Sequence, residues 1–379
     1  MAELSYKDQQ DLKNIEKIRE HLQILPRFCG EYFRSLEIRK STNTRKNYAY
    51  DLGVFFYFLK TNNPYFKDKD IHTLPIEVLD MITAMDIEEY LSYLESYTKD
   101  GKLYTNREEG KARKLSSLKS FYDYYFKKNL IRTNPPRQVD VPKIKNKNII
   151  RLDPNEIAQL LDEAESGEKL SGRQLASHEK TKVRDVAILT LLLGTGIRVS
   201  ECVGLNLEDV DFNNGAIRII RKGGNEALIY FGDEISQALE AYMNGPRKTA
   251  EPAAGHEEAL FISLNKTRIT TRSVERLVKK YSRLVTTVKK ITPHKLRSTF
   301  GTALYQETGD IYLVADTLGH KDVNTTKKHY AAIDEHRRRM AANVVKLRET
   351  IDNSRKNFPE KRLKMDETPI KTYKDEIKK

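Results

Sequence analysis

The chain has 379 residues and carries 67 Lys+Arg against 54 Asp+Glu, a formal net charge of +13. Its length suits two or three domains, and 39% hydrophobic content with 20 Tyr and 13 Phe excludes a disordered polypeptide. Two cysteines, Cys29 and Cys202, exclude a disulfide framework and a Cys-rich zinc module. The longest apolar run, Val186 to Leu193, falls far short of the ~20 residues of a membrane span.

Nothing near Met1 reads as a signal peptide, so a cytoplasmic, nucleoid-associated protein is expected, with a polyanion as its partner. Residues 1–24 read as a mixed-charge helical extension. Residues 25–140 read as a small all-helical domain, with helical signals from Leu25 to about Lys128. Ser41 or Thr42 can cap a helix whose apolar face carries Tyr48, Leu52, Phe55, Phe56 and Leu59, and Asn62-Asn63-Pro64 ends it. A second helix starts near Asp86. A third, Lys111 to Phe126, puts Leu115, Leu118, Tyr122 and Tyr125 on one stripe, with Arg113, Lys114 and Lys119 off it as candidate phosphate contacts. Residues 141–150 form a basic, aperiodic linker whose Lys143 and Lys145 can follow a phosphate backbone. Residues 151–351 hold the second large domain, and 352–379 a charged, flexible tail.

In that second domain Asp153-Pro154-Asn155-Glu156 opens a helix, Glu163–Lys182 is a polar interruption with a short helix, and Val183–Leu193 is a buried helix. Ala216–Arg221 and Ala227–Phe231 are strands flanking Lys222-Gly223-Gly224-Asn225-Glu226, a β-hairpin signal. Helices follow over Glu234–Tyr242, Thr271–Thr286, Pro293–Thr308, Ile311–Leu318, Thr325–Ile333 and His336–Ile351. The fold class is therefore mainly α with a small β-hairpin or sheet in the second domain.

The residues that carry chemistry lie between Gly194 and Tyr330. Arg198 follows a Gly-Thr-Gly helix junction, Lys222 sits at the hairpin tip, and His294 and Arg297 share one face near a helix start. His320 follows Gly319 at a helix end, and Tyr330 opens a short helix. Arginine forks match the oxygens of a phosphodiester bidentately and stay charged at any working pH. A tyrosine, about 0.1% ionised at neutral pH, needs such cations or a base to become a nucleophile. A lysine can protonate the leaving oxygen. No two-metal carboxylate cluster and no phosphate-binding loop is evident, so no cofactor or metal is expected.

The order Arg198, Lys222, His294-x-x-Arg297, Leu318-Gly319-His320 and Tyr330 resembles the tyrosine recombinase (phage integrase) family over about residues 25–351, most closely the single-recombinase Xer (XerS-like) variety of Firmicutes. The resemblance implies a helical core-binding (SAM-like) domain and an α+β catalytic domain closing as a C-shaped clamp on DNA. In the first of these, Thr44-x-x-x-Tyr48 and Asp51-Leu52 look like the DNA-clamping helix, which makes Arg45 and Lys46 DNA-binding candidates. It further implies that Arg198 and Arg297 bind the scissile phosphate, that Lys222 protonates the 5′-oxygen, and that His294 and His320 contact the phosphate and assist proton movement. Tyr330 would form a 3′-phosphotyrosyl link, and Glu201 would orient Arg198 from behind. The implied partners are double-stranded DNA with paired inverted half-sites, three further copies in a homotetramer spanning two sites, and an accessory protein or cell-division DNA translocase. The biological job would be chromosome dimer resolution or mobile-element integration and excision. One alternative is a catalytically silent DNA-binding protein of the same fold. Another is a metal hydrolase built on His294, His320, His329 and Glu201, which lacks recognisable ligand spacing.

Overall fold

The structure, a computed structural model, describes residues 5–143, 150–221, 224–320 and Val323. The expected helices over 325–333 and 336–351, the charged tail and most of the basic linker lie outside the described residues.

Residues 5–143 build one hydrophobic core. The elements in chain order are α1 (Tyr6–Ile24), α2 (Cys29–Leu36), α3 (Thr42–Asn62), α4 (Ala84–Tyr93), β1 (Ser96–Lys99), β2 (Lys102–Thr105), α5 (Glu108–Lys127) and the short α6 (Pro135–Gln138). Ser41 caps α3 by accepting from the Thr44 N–H. Thr83 and Asp86 close a reciprocal box at the start of α4, with Thr83 N–H donating to Asp86 (2.8 Å) and Asp86 N–H to Thr83 (3.2 Å). Leu52, Phe55, Phe56 and Leu59 of α3 meet Tyr90 of α4 and Leu115, Leu118, Phe121, Tyr122 and Tyr125 of α5, all buried. The α5 stripe matches the spacing read from sequence, with Phe121 added to it.

The β1–β2 hairpin is a correction to the all-helical expectation for this segment. Its two-residue turn is Asp100-Gly101, with φ of 51° and 70°, the positive pair that a twisted hairpin requires and that Asp-Gly tolerates. Tyr93, Tyr97 and Tyr104 stack in a row on it, with centroids 5.0 and 5.3 Å apart. Alternation over four residues per strand is too short to stand out from the helical periodicity on either side.

The elements that follow are α7 (Pro154–Ser166), α8 (Gly172–His178), α9 (Lys182–Thr195), α10 (Val199–Gly204), β3 (Val210–Asp211), β4 (Ala216–Ile220), β5 (Glu226–Tyr230), α11 (Asp233–Tyr242), α12 (Thr271–Val285), α13 (Pro293–Thr308) and α14 (Ile311–Leu318), and all but α8 and α14 contribute to a second hydrophobic core. α9 is its axis, with Ala187, Ile188, Leu189, Leu191 and Leu192 all buried. The sheet is antiparallel in the order β3-β4-β5. The Glu163–Lys182 interruption is tied down rather than loose. His178 on α8 is buried and hydrogen-bonds through Nδ1 to the Tyr281 hydroxyl (3.0 Å), which donates to Asp185 (3.0 Å).

α1 touches both cores. Its body packs along α3, where Thr42 donates to Asp11 and Lys46 Nζ donates to Asn14 (2.6 Å). At its N-terminal end the Tyr6 ring lies 5.2 Å from the Arg268 guanidinium and packs against the second core.

Candidate active site

Arg198 sits where α9 stops and α10 starts. Gly196 takes the left-handed conformation (φ 62°) that ends α9, and a Cβ there would collide with Phe300, so only glycine lets α13 come this close. Two residues on, Arg198 occupies the cap of α10, and Glu201 lies one turn into that helix. The Glu201 carboxylate accepts from the Arg198 backbone N–H (2.7 Å) and from Arg198 Nη1 (2.7 Å). Glu201 is almost wholly buried, whereas about a third of the Arg198 side chain is exposed. The carboxylate thus fixes the guanidinium from the protein side and leaves its outer edge turned to solvent.

Arg297 comes from the second turn of α13, which starts with Pro293 at its first position. It is buried, with Nη1 on the Gly196 carbonyl (2.6 Å) and Nη2 on the Leu318 carbonyl. Arg198 Nη2 reaches the next carbonyl, Gly319 (3.2 Å). Both arginines therefore converge on the C-terminal end of α14. A helix leaves its last carbonyls without intrahelical partners and concentrates partial negative charge there. Gly319 (φ 60°) ends α14, and the His320 N–H returns to the Ala315 carbonyl (2.8 Å), so His320 emerges from the point the two arginines grip. His294, exposed, stands one turn before Arg297 on α13. Arg198, Arg297, Glu201 and the end of the helix bearing His320 are brought together by direct contacts. Lys222 and Tyr330 lie outside the described residues.

One member of this group was not singled out by the sequence. Arg221, at the end of β4, places Nη1 on the Asp316 carbonyl and Nη2 on the Thr317 carbonyl, each at 3.1 Å. Strand alternation predicts that Arg221 and Lys222 diverge; it does not say where Arg221 goes.

The candidate DNA contacts are placed as follows. Arg45, on α3, pairs with Glu37 (3.3 Å) and Lys46 with Asn14. Arg113 makes a bidentate pair with the buried Asp51 and stays partly exposed. Lys114 is buried beside the same carboxylate (3.7 Å), and that burial depresses its pKa while Asp51 opposes the shift. Ser117 completes the cluster by donating to Asp51 (2.7 Å). Lys119 donates to the Val139 carbonyl (3.0 Å), Lys143 is exposed, and Lys145 lies outside the described residues. A feature the sequence reading missed is the outer face of α12, where Arg272, Arg276, Lys279 and Arg283 are exposed at i, i+4, i+7 and i+11. That spacing could have revealed it. The opposite stripe, Val274, Leu277, Val278 and Tyr281, is buried.

Among the described residues no group of three or more His, Cys, Asp or Glu side chains is placed to hold a metal ion, and no helix is long and apolar enough to cross a membrane.

The family model for the phage integrase family matches residues 150–337. The chain is 33% identical over 329 residues to the tyrosine recombinase XerC of Caldanaerobacter subterraneus subsp. tengcongensis, covering 84% of this chain and 86% of that protein. It is 30% identical over 357 residues to the tyrosine recombinase XerS of Lactococcus lactis subsp. cremoris, covering 88% and 98%. Among solved structures, the fold is similar to the Tn1549 transposon integrase in complex with circular intermediate DNA (TM-score 0.58, 23% identity, 82% of this chain and 98% of that one). It is also similar to XerH bound to its difH substrate (TM-score 0.56, 22% identity, 80% and 79%). By these matches, running through both cores and nearly the full length of its curated relatives, the chain belongs to the phage integrase family and is a site-specific tyrosine recombinase.

Proposed function

We propose that this recombinase cuts and rejoins duplex DNA through Tyr330, with a 3′-phosphotyrosyl intermediate and a Holliday junction. The observation that carries the reading is the convergence of Arg198 and Arg297 on the end of α14 beside His320, with Glu201 buried behind Arg198. Two preorganised guanidiniums facing one small region suit the charge that gathers on a phosphodiester's equatorial oxygens, and they need no reorganisation as it develops. The Tyr330 oxygen attacks phosphorus, the bond from phosphorus to the 5′-oxygen breaks, and Lys222 gives that oxygen its proton. His294 and His320 hold the phosphate and move protons. Rejoining runs the same steps backwards from a 5′-hydroxyl, so bond energy is conserved and the exchange requires no nucleotide.

In this reading the segments 25–140 and 151–351 are the two jaws of a C-shaped clamp joined by 141–150, and affinity comes chiefly from phosphate contacts. Arg45, Lys46, Arg113, Lys119, Lys143, Lys145 and the α12 stripe supply those contacts. Lys114, enclosed with Asp51, supports the fold beneath them. Four protomers act on two sites of paired inverted half-sites in the cytoplasm, with an accessory protein or DNA translocase available to trigger them. The solved relatives bound to DNA favour this partner.

The test is covalent capture. The protein is incubated with nicked host DNA in EDTA and quenched in SDS, and the attached DNA is sequenced, with Tyr330→Phe as control. Adducts that need Tyr330 are expected. A single chromosomal locus means dimer resolution, and element ends mean mobility. Tight binding without any adduct would instead support the catalytically silent DNA-binding protein.

A further inference from the structure

We propose that α1 is an autoinhibitory strap. With no DNA bound, it ties the two cores together through Tyr6 and satisfies the DNA-contact groups at the start of α3 with its own polar side chains. The inference rests on the reading of the two cores as DNA-gripping jaws.

The far end of the strap has a built seat at the C-terminal end of α10. The Arg268 guanidinium donates to the Val203 carbonyl (3.2 Å), the Leu205 carbonyl (2.7 Å) and the Asn206 side-chain oxygen (2.5 Å). Those bonds lie in the guanidinium plane and leave a face, and the Tyr6 ring centroid stands 5.2 Å from it. Gly204 adds no side chain to the seat; a Cβ there would touch the Tyr6 ring at 3.6 Å. Burial raises the Tyr6 pKa, and Arg268 opposes the shift. The next residue, Lys7, brings Nζ to within 3.1 Å of the place a Cβ on Gly224 would fill, beside the β4–β5 turn.

The near end lies on α3. The Asp11 carboxylate accepts from the hydroxyl of Thr42, the first residue of that helix. Asn14 Nδ2 donates to the same hydroxyl (3.2 Å), and Asn14 Oδ1 accepts from Lys46 Nζ (2.6 Å). A helix start attracts an anion, and the first turn of α3 carries no acidic residue of its own, so Asp11 supplies the charge from α1. The place suits a cation poorly, because burial lowers the Lys46 pKa and Lys17 of α1 pushes it the same way. A DNA phosphate would give Lys46 a full negative charge where α1 gives a neutral amide, and a charge-assisted bond is the stronger of the two. The strap and the phosphate backbone therefore compete for Thr42 and Lys46. A helix that served only to hold DNA in place would leave Lys46 open to it. Release is cheap: Ser5 caps α1 immediately before Tyr6, so fraying of one turn frees the ring.

The test is binding of a labelled duplex of random sequence at fixed salt, read by anisotropy. Tyr6→Ala should bind about 2–30-fold more tightly, the span a cation–π contact of this kind is worth. Tyr6→Phe, which keeps the ring, should match the wild type. Tyr6→Cys with Gly204→Cys, joined by a short bis-maleimide, keeps the strap closed, while the buried Cys29 and Cys202 stay out of the reagent's reach. The joined form should bind at least about 10-fold more weakly than the same variant unjoined, since no open state is left to populate. In the wild type, DNA should speed hydrogen exchange in the first turns of α1. Equal or weaker binding by Tyr6→Ala, equal binding by the joined and unjoined forms, or slower exchange in α1 on DNA overturns the proposal. A wild type that binds no duplex removes the clamp reading beneath it, whatever Tyr6 does.

Discussion

Single side chains here are held by carboxylates that the solvent barely reaches. Glu201 spends both oxygens on Arg198, one on its backbone and one on its guanidinium. Glu201→Ala is expected to keep DNA affinity while slowing single-turnover cleavage about 10–100-fold, the range typical of supporting partners behind a reactive group. Unchanged cleavage would mean that Gly319 and the surrounding backbone suffice to aim Arg198. Asp51 does comparable work far from the chemistry, since Arg113, Lys114 and Ser117 all turn to it. Removing it strands Lys114 in the interior. Urea unfolding of Asp51→Ala should show a loss of about 3–5 kcal/mol, and adding Lys114→Met should recover part of that. Burial pushes the Cys202 thiol up to about 12 and raises Cys29 as well. A thiol raised in the folded state contributes stability that is complete below its unfolded pKa near ~9 and is lost as pH climbs toward 12. Native protein at pH 8 should therefore leave a thiol reagent unconsumed, and urea should release both cysteines to it. At this scale the sequence exposed identities but not partners. The sequence order singles out Arg198, Glu201, His294, Arg297 and His320 as candidates, while the burial of Lys114 and the destination of Arg221 depend on contacts 63 and 95 positions away along the chain.

At the scale of elements, period was a good guide wherever it ran long. α3 and α5 follow from their apolar stripes, α9 from its apolar run, and α3, α7 and α13 from their Ser, Asp or Pro starts. The β1–β2 hairpin escaped because eight strand residues cannot outweigh twenty helical ones, although Asp100-Gly101 marks its turn. The sequence predicts α12 as a helix, and its buried stripe of Val274, Leu277, Val278 and Tyr281 leaves Arg272, Arg276, Lys279 and Arg283 on the exposed side. Arg276→Ala should weaken binding about equally across DNA sequences and lower the slope of log affinity against log salt by about 1. A slope that does not move would place the phosphate backbone elsewhere.

For the whole molecule, an excess of 13 positive charges sets an ionic-strength dependence that no single residue controls. If each protomer neutralises six to ten phosphates, raising salt from about 50 to 200 mM should cost roughly 10³–10⁵ in affinity, measured by anisotropy. The basic stretch 141–150 follows the first core, in which Pro135 and Pro136 are buried on α6 and Val139 still belongs. The reach of α1 was not legible, because Tyr6 gives no hint in sequence that it meets Arg268.

That reach has a consequence for synthesis. Half of α1 finds its neighbours in α3 a few dozen residues later, but the Tyr6 end must wait for Gly204 and then for Arg268. At about 5–20 residues per second the ribosome imposes a delay of roughly 10–50 s between the tyrosine and the arginine it lies against. The N-terminal end of α1 is thus completed only once the chain has been synthesised through Arg268.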